Sequence, residues 1–253
     1  MSDLTELKEI RDDFQNDLRY WYNIGHTFIG MSKIASLEMR KEENLGKKIT
    51  FATIPTNENG ILKFDILSEL TYQQMLVTYY GNQDAIAELV YERIIQRWYD
   101  FLNQIIEQVV QYHIAGVKTY TKLPKIDIKV DFSRDNFSKD SLLTTLPGLI
   151  KEGFDFKKNI EKTELIEKCL EKKIDEELKQ EIKKAIITRN LLEHSHGIIR
   201  EQDVKPLGRN SIKLIDDHCV EKEFKLGEKV EITIYEIFRL NHILYSTSNI
   251  LIP

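Results

Sequence analysis

Cysteine is nearly missing from this chain, and what little there is forms no pattern. Cys169 and Cys219 are the two cysteines in 253 residues, and neither belongs to a CxxC pair. A disulfide scaffold and a zinc ribbon are therefore excluded, and free thiols are expected. Five prolines and eleven glycines are too few for a collagen-like or low-complexity chain. No window approaches 18 uninterrupted apolar residues, so no helix is expected to span a membrane. The first residues, MSDLTELKEIRDDF, alternate acids and bases where a signal peptide needs an apolar stretch, and a cytoplasmic protein is expected. Walker A, GxGxxG, GxSxG and HExxH motifs are all missing. Nucleotide hydrolases, dinucleotide enzymes, serine hydrolases and zincins therefore have no support. Positive charge is also in deficit: 36 Lys and Arg stand against 41 Asp and Glu, a net charge of −5. That balance argues against a broad electrostatic grip on nucleic acid but leaves room for a small, local phosphate site.

What is present is a good supply of core. Hydrophobic residues make up 42% and charged residues 30%, a composition that folds, at a length between one large domain and two small ones. Over residues 4–41, Leu7, Ile10, Phe14, Leu18, Trp21, Ile24 and Phe28 recur at steps of three and four. This spacing predicts an amphipathic helix, with a break near Gly25 or Gly30. The period then shortens. Residues 49–54 and 61–66 flank Asn59-Gly60 and predict a β-hairpin, with Pro55 closing its first strand. From 84 to about 112, a wide apolar stripe through Ile94, Trp98, Phe101, Leu102 and Ile105 predicts a helix of roughly 40 Å.

Residues 125–132 alternate and predict a short strand. Leu170, Ile174, Leu178, Ile182 and Ile186 sit at four-residue steps and predict helix over 159–196, broken near 173–175 with Asp175 as a cap. Beyond Gly197, residues 211–217 and 222–234 predict a second hairpin running across Gly227, and 235–251 a last helix. The fold class expected is mainly α. The division expected at Gly81 gives an N-terminal helix plus hairpin extension over 1–80 and a helical bundle over 81–253.

The chemistry is concentrated at residues 182–197. The i, i+4 row through Ile182, Ile186, Asn190 and His194 begins apolar and ends polar. At about 100° per residue, Arg189, Asn190, Glu193, His194 and His196 fall within an arc of about 160°, with Leu191 and Leu192 opposite. A helix leaving the core for water shows the same switch. Arg189 and Glu193 are then a surface i, i+4 pair, Gly197 ends the helix, and both histidines favour the negative end of the dipole. Spacing alone leaves both readings open.

The segment Arg189-Asn190-Leu191-Leu192-Glu193-His194 resembles the R-N-x-x-x-H form of the Rx4–6H motif of the HEPN superfamily. Gly197, the following Ile198-Ile199, the hairpin before the last helix and the helix around Trp98-Tyr99-Asp100-Phe101-Leu102 are similar to bacterial members of that group. The likeness covers roughly residues 82–253. Many relatives carry Asn after the histidine, where this chain has Ser195 and then His196.

The resemblance implies a HEPN-like helical bundle with hairpin insertions. It also implies a metal-independent endoribonuclease, with Arg189, Asn190 and His194 catalytic and Glu193 and His196 as possible assisting groups. In that chemistry the RNA 2′-hydroxyl attacks the phosphate. A histidine moves protons, because imidazole titrates near neutrality. An arginine holds the phosphate oxygens as charge builds on them. The resemblance further implies a homodimer with motif helices from two chains lining one cleft, and a role in phage defence or a toxin–antitoxin pair with an antitoxin-like partner. No cofactor and no metal are expected.

The rival readings are a non-catalytic module for dimerisation or assembly, and a helical partner of a nucleotidyltransferase. Two smaller candidates also stand. His194 and His196, with His218-Cys219 downstream, could form a metal site, but residues two apart on a helix diverge by about 200°. Tyr20-Trp21-Tyr22 could stack bases, although Trp21 lies on the core stripe of its helix. Tyr79-Tyr80 is expected to pack at a helix end.

Overall fold

A computed structural model describes residues 5–123 and 159–253, with residues 148, 150, 153, 154 and 157 between them. The chain is mainly helical, with short antiparallel ribbons between its helices. Helix α1 (Thr5–Met39) leads to a ribbon of four short strands, β1 (Lys48–Ala52), β2 (Thr56–Glu58), β3 (Ile61–Lys63) and β4 (Ile66–Thr71). Helices α2 (Tyr72–Gly81) and α3 (Ala85–Ile114) follow. After them come α4 (Asn159–Leu170), α5 (Glu176–Ser195) and the single turn α6 (Glu201–Val204). Strands β5 (Ser211–Ile215) and β6 (Glu221–Lys225) and helix α7 (Ile234–Leu251) complete the chain. The strand expected over 125–132 lies outside the described residues.

Helix α3 is the spine, because its apolar residues fill a whole stripe rather than a seam. Trp98, Ile94, Leu102 and Ile105 are fully buried. Phe14 of α1 stacks on Phe101 at 4.4 Å between ring centroids and tilts against Trp98 at 5.8 Å. Polar side chains then fix the register of the neighbouring helices. The amide of Gln15 donates to the Ser248 hydroxyl at 2.9 Å, and that of Asn241 to the Leu18 carbonyl at 2.8 Å, joining α1 to α7. At the far end of α3, the Tyr112 phenol donates to the Glu6 carboxylate.

Three expectations need correction, each for a physical reason. Helix α1 is unbroken through Gly25 and Gly30. Gly25 is buried where α1 meets α3, and a Cβ built there would lie 3.2 Å from both Val90 methyls. Packing outweighs the cost of about 1 kcal/mol that glycine carries in a helix. The same contact makes the first half of α1 part of the common core, with Leu7, Phe14 and Leu18 in one cluster with α3 and α7.

The second hairpin is shorter than its alternation predicts, since β6 ends at Lys225. Gly227, at φ +84°, reverses the chain, and its N–H donates to the Ile199 carbonyl at 2.9 Å. Val230 N–H then donates to the Gly197 carbonyl at 3.0 Å. Residues 227–230 thus pair with the segment behind α5 rather than extend β6. Lastly, α4 and α5 separate where expected and Asp175 holds the N-cap position, but its side chain makes no cap bond. The Glu167 carboxylate instead ties α4 to the residues ahead of α5, accepting the Ile174 N–H at 2.8 Å and pairing with Lys179 at 2.7 Å.

Candidate active site

Helix α5 is amphipathic by position along its length. Ile182, Ala185, Ile186, Ile187 and Thr188 are buried, and Leu191 and Leu192 continue that side to the helix end. Asn190, Glu193, His194 and His196 are exposed, and Arg189 is half-buried between the two environments. The structure therefore brings all five sequence-derived residues to one exposed end of α5, opposite the two leucines.

The helix stops because two consecutive residues adopt left-handed backbone. His196 is at φ +51° and Gly197 at φ +79°. The Gly197 N–H donates back to the Leu191 carbonyl at 2.9 Å, closing the last turn. His196 therefore lies beyond the helix, while His194 remains on its final turn. Close behind, Lys229 approaches Gly197 and pairs with Glu88 of α3 at 3.2 Å.

Glu193 is the centre of the arrangement. Its Oε2 accepts from the Arg189 guanidinium and also lies 3.2 Å from His194 Nε2. Arg189 Nη1 reaches Asn190 Oδ1 at 3.4 Å. Arg189, Asn190 and His194 are thus linked through side chains of a single helical turn. The His194 imidazole is mostly open to solvent, and its Nε2 edge faces a carboxylate. A carboxylate in that place orients an imidazole and leaves Nδ1 for proton transfer.

Among the described residues, Arg189 Nε and the Ser195 hydroxyl are buried and have no hydrogen-bond partner.

A residue that sequence reasoning missed is Glu92 on α3, which faces this site from across the helix pair. Burial raises its carboxyl above the ordinary range, Arg189 opposes that shift, and Glu193 adds to it. No local pattern marks Glu92, because its neighbour Arg189 is almost a hundred residues away in sequence.

The weaker candidates resolve simply. Among the described residues no cluster of three or more His, Cys, Asp or Glu is placed to hold a metal ion. His218 and Cys219 occupy the exposed turn between β5 and β6. Cys219 and the buried Cys169 are both free thiols, and burial pushes the Cys169 thiol up to about 11. Trp21 packs partly against the core, Tyr20 is exposed, and Tyr22 contacts the Phe238 ring at 5.9 Å. Tyr79 and Tyr80 lie together at the end of α2, their rings 5.3 Å apart.

No protein-family model matches the chain, and no match is found among curated proteins or solved structures.

Proposed function

We propose that this chain is a metal-independent endoribonuclease of HEPN type, with His194 as the proton-transfer group and Arg189 as the phosphate clamp. Asn190 orients the phosphate, and Glu193 positions His194. The observation that supports this reading is the linkage of Arg189, Asn190 and His194 through Glu193 at one exposed helix end. The RNA 2′-hydroxyl attacks the adjacent phosphorus as its proton leaves. The 5′-oxygen departs with a proton, and a 2′,3′-cyclic phosphate remains. Two motif helices facing each other in a homodimer would double the arginine charge and create a locally basic cleft on an acidic protein. Defence against phage, or a toxin–antitoxin pair, is the setting that the resemblance implies.

One observation favours the non-catalytic rival, a dimerisation or assembly module: Arg189 is already paired within its own helix. The experiment that separates the two compares wild type, His194→Ala and Arg189→Lys for RNA cleavage, growth inhibition and melting temperature. Loss of the proton-transfer group costs typically 10²–10⁴-fold in rate, and lysine cannot replace a planar bidentate fork. The enzyme reading expects folded variants with cleavage lost, products with cyclic phosphate ends, activity that survives EDTA, and DNA left intact. Wild type that cuts no RNA, with variants that keep its biological effect, would establish the module.

A further inference from the structure

Helices α4 and α5 are joined by the short connection 171–175 and fold back on each other. Glu167, about one turn before the end of α4, meets Lys179, about one turn into α5, at 2.7 Å. One turn further from the connection, Thr163 and Glu164 of α4 come level with Lys183 of α5. There the two helices leave a cleft of about 290 Å³ between them. Pockets that hold small molecules begin at roughly this size.

The cleft has an apolar floor and charged walls. Ile182 and Ile186, one turn apart on α5 and both part of the core cluster, form the floor. Three glutamates and three lysines line the walls, which are therefore neutral as a whole. Their engagement is uneven. Glu167 holds Lys179, and the exposed Glu176 accepts from the Gln180 amide at 2.8 Å. Lys168 is exposed on the outer part of α4. Glu164 and Lys183 stand level on opposite walls, and among the described residues neither has an ion-pair or hydrogen-bond partner. Lys183 is half-buried, so its charge is less screened than that of a surface lysine. Beside Glu164, Thr163 is 5% exposed, and its hydroxyl also has no hydrogen-bond partner among the described residues.

We propose that this cleft binds a small zwitterion with an apolar side chain, the chemistry of an apolar α-amino acid. The Lys183 ammonium donates to the ligand carboxylate, and the ligand ammonium donates to the Glu164 carboxylate. The ligand side chain covers Ile182 and Ile186. The charge pattern selects this class over its relatives. A simple anion leaves Glu164 unanswered and a simple cation leaves Lys183 unanswered, whereas a zwitterion meets both with charge-assisted hydrogen bonds. An uncharged apolar molecule meets neither. The cleft shares α5 with the candidate active site but uses none of its residues, and it does not depend on the ribonuclease reading.

The test is a methyl NMR titration of the full chain with L-leucine, following the signals of Ile182 and Ile186. Two truncated probes keep the same apolar body: 4-methylpentanoate lacks the ammonium, and 3-methylbutylamine lacks the carboxylate. L-leucine is expected to shift both methyl signals and to saturate with a Kd of about 1 mM or below. Each truncated probe should bind at least about 10-fold more weakly. Lys183→Gln and Glu164→Gln should each weaken L-leucine at least about 10-fold, with helical circular dichroism unchanged. Arg189→Lys should leave L-leucine binding untouched, which separates this site from the cleavage reading. No methyl shift with L-leucine up to about 10 mM overturns the proposal. So does a truncated probe that binds as tightly as L-leucine, a comparison made on wild type and independent of how the variants fold. Binding that ignores both variants overturns it as well.

Discussion

Glu193 accepts from Arg189 and faces His194, so one carboxylate affects both halves of the proposed chemistry in opposite senses. It orients the imidazole, which favours turnover, and it competes with phosphate for the guanidinium, which opposes binding. Glu193→Gln keeps the shape and removes the charge. RNA should then bind more tightly, with KM lowered several-fold, while kcat drops about 10-fold as the imidazole loses its anionic partner. A merely structural Glu193 would move neither constant, and measuring both on a short RNA decides the matter. Glu92 on α3 senses the same cluster: burial raises its carboxyl, Arg189 opposes that shift and Glu193 adds to it.

Two caps decide where α5 stops and where α7 starts. Gly197 combines φ +79° with a close approach, a Cβ there lying 3.1 Å from Lys229 Cγ and 3.5 Å from a Val230 methyl. The lysine stem can move aside, but the backbone conformation still disfavours an L side chain. Gly197→Ala should therefore cost about 1–2 kcal/mol. Thr233 caps α7 by accepting the Glu236 N–H at 3.2 Å, and its hydroxyl also donates to the Ile215 carbonyl at 2.6 Å, tying β5 to the helix. Thr233→Val should cost roughly 1–2 kcal/mol for the lost cap and the orphaned carbonyl. Urea denaturation of each variant measures these costs, and a loss under about 0.5 kcal/mol in either would refute the role given to that cap.

The whole molecule is held by contacts between chain segments far apart in sequence, and one of them titrates. Burial and the hydrogen bond to Glu6 raise the Tyr112 phenol to about 12. Its folded value thus exceeds the ordinary phenol value of about 10. The neutral phenol stabilises the fold, a contribution complete below about pH 10 and lost as pH rises through about 12. Its size is on the order of 2 kcal/mol. Melting temperature should fall between pH 10 and 12 in wild type more steeply than in Tyr112→Phe, which lacks the titrating group. Parallel curves for the two proteins would count against the Glu6–Tyr112 tie. Glu236 behaves with the same sign at lower pH: burial raises its carboxyl although Arg239, 2.6 Å away, opposes the shift.

Local periodicity was enough to read much of this protein. The stripe through Ile94, Trp98 and Ile105 specified α3, and the Asn59-Gly60 pair specified the ribbon turn. The change from Ile182 and Ile186 to Asn190 and His194 specified which face of α5 carries the polar cluster. These features depend on residues within one or two turns of each other, so the chain order contains them. Tertiary structure decided the rest. Gly25 does not break α1 because Val90, 65 positions on, packs against it. Gly227 ends a strand because its N–H finds the Ile199 carbonyl. Glu92 joins the candidate site because α3 and α5 pack side by side. Residues 49–54 and 61–66 marked a hairpin, but a local pattern carries no sign that Phe51, Ile54 and Ile61 stay exposed in the folded chain. Burial is a property of the assembled surface, whereas periodicity is a property of one segment.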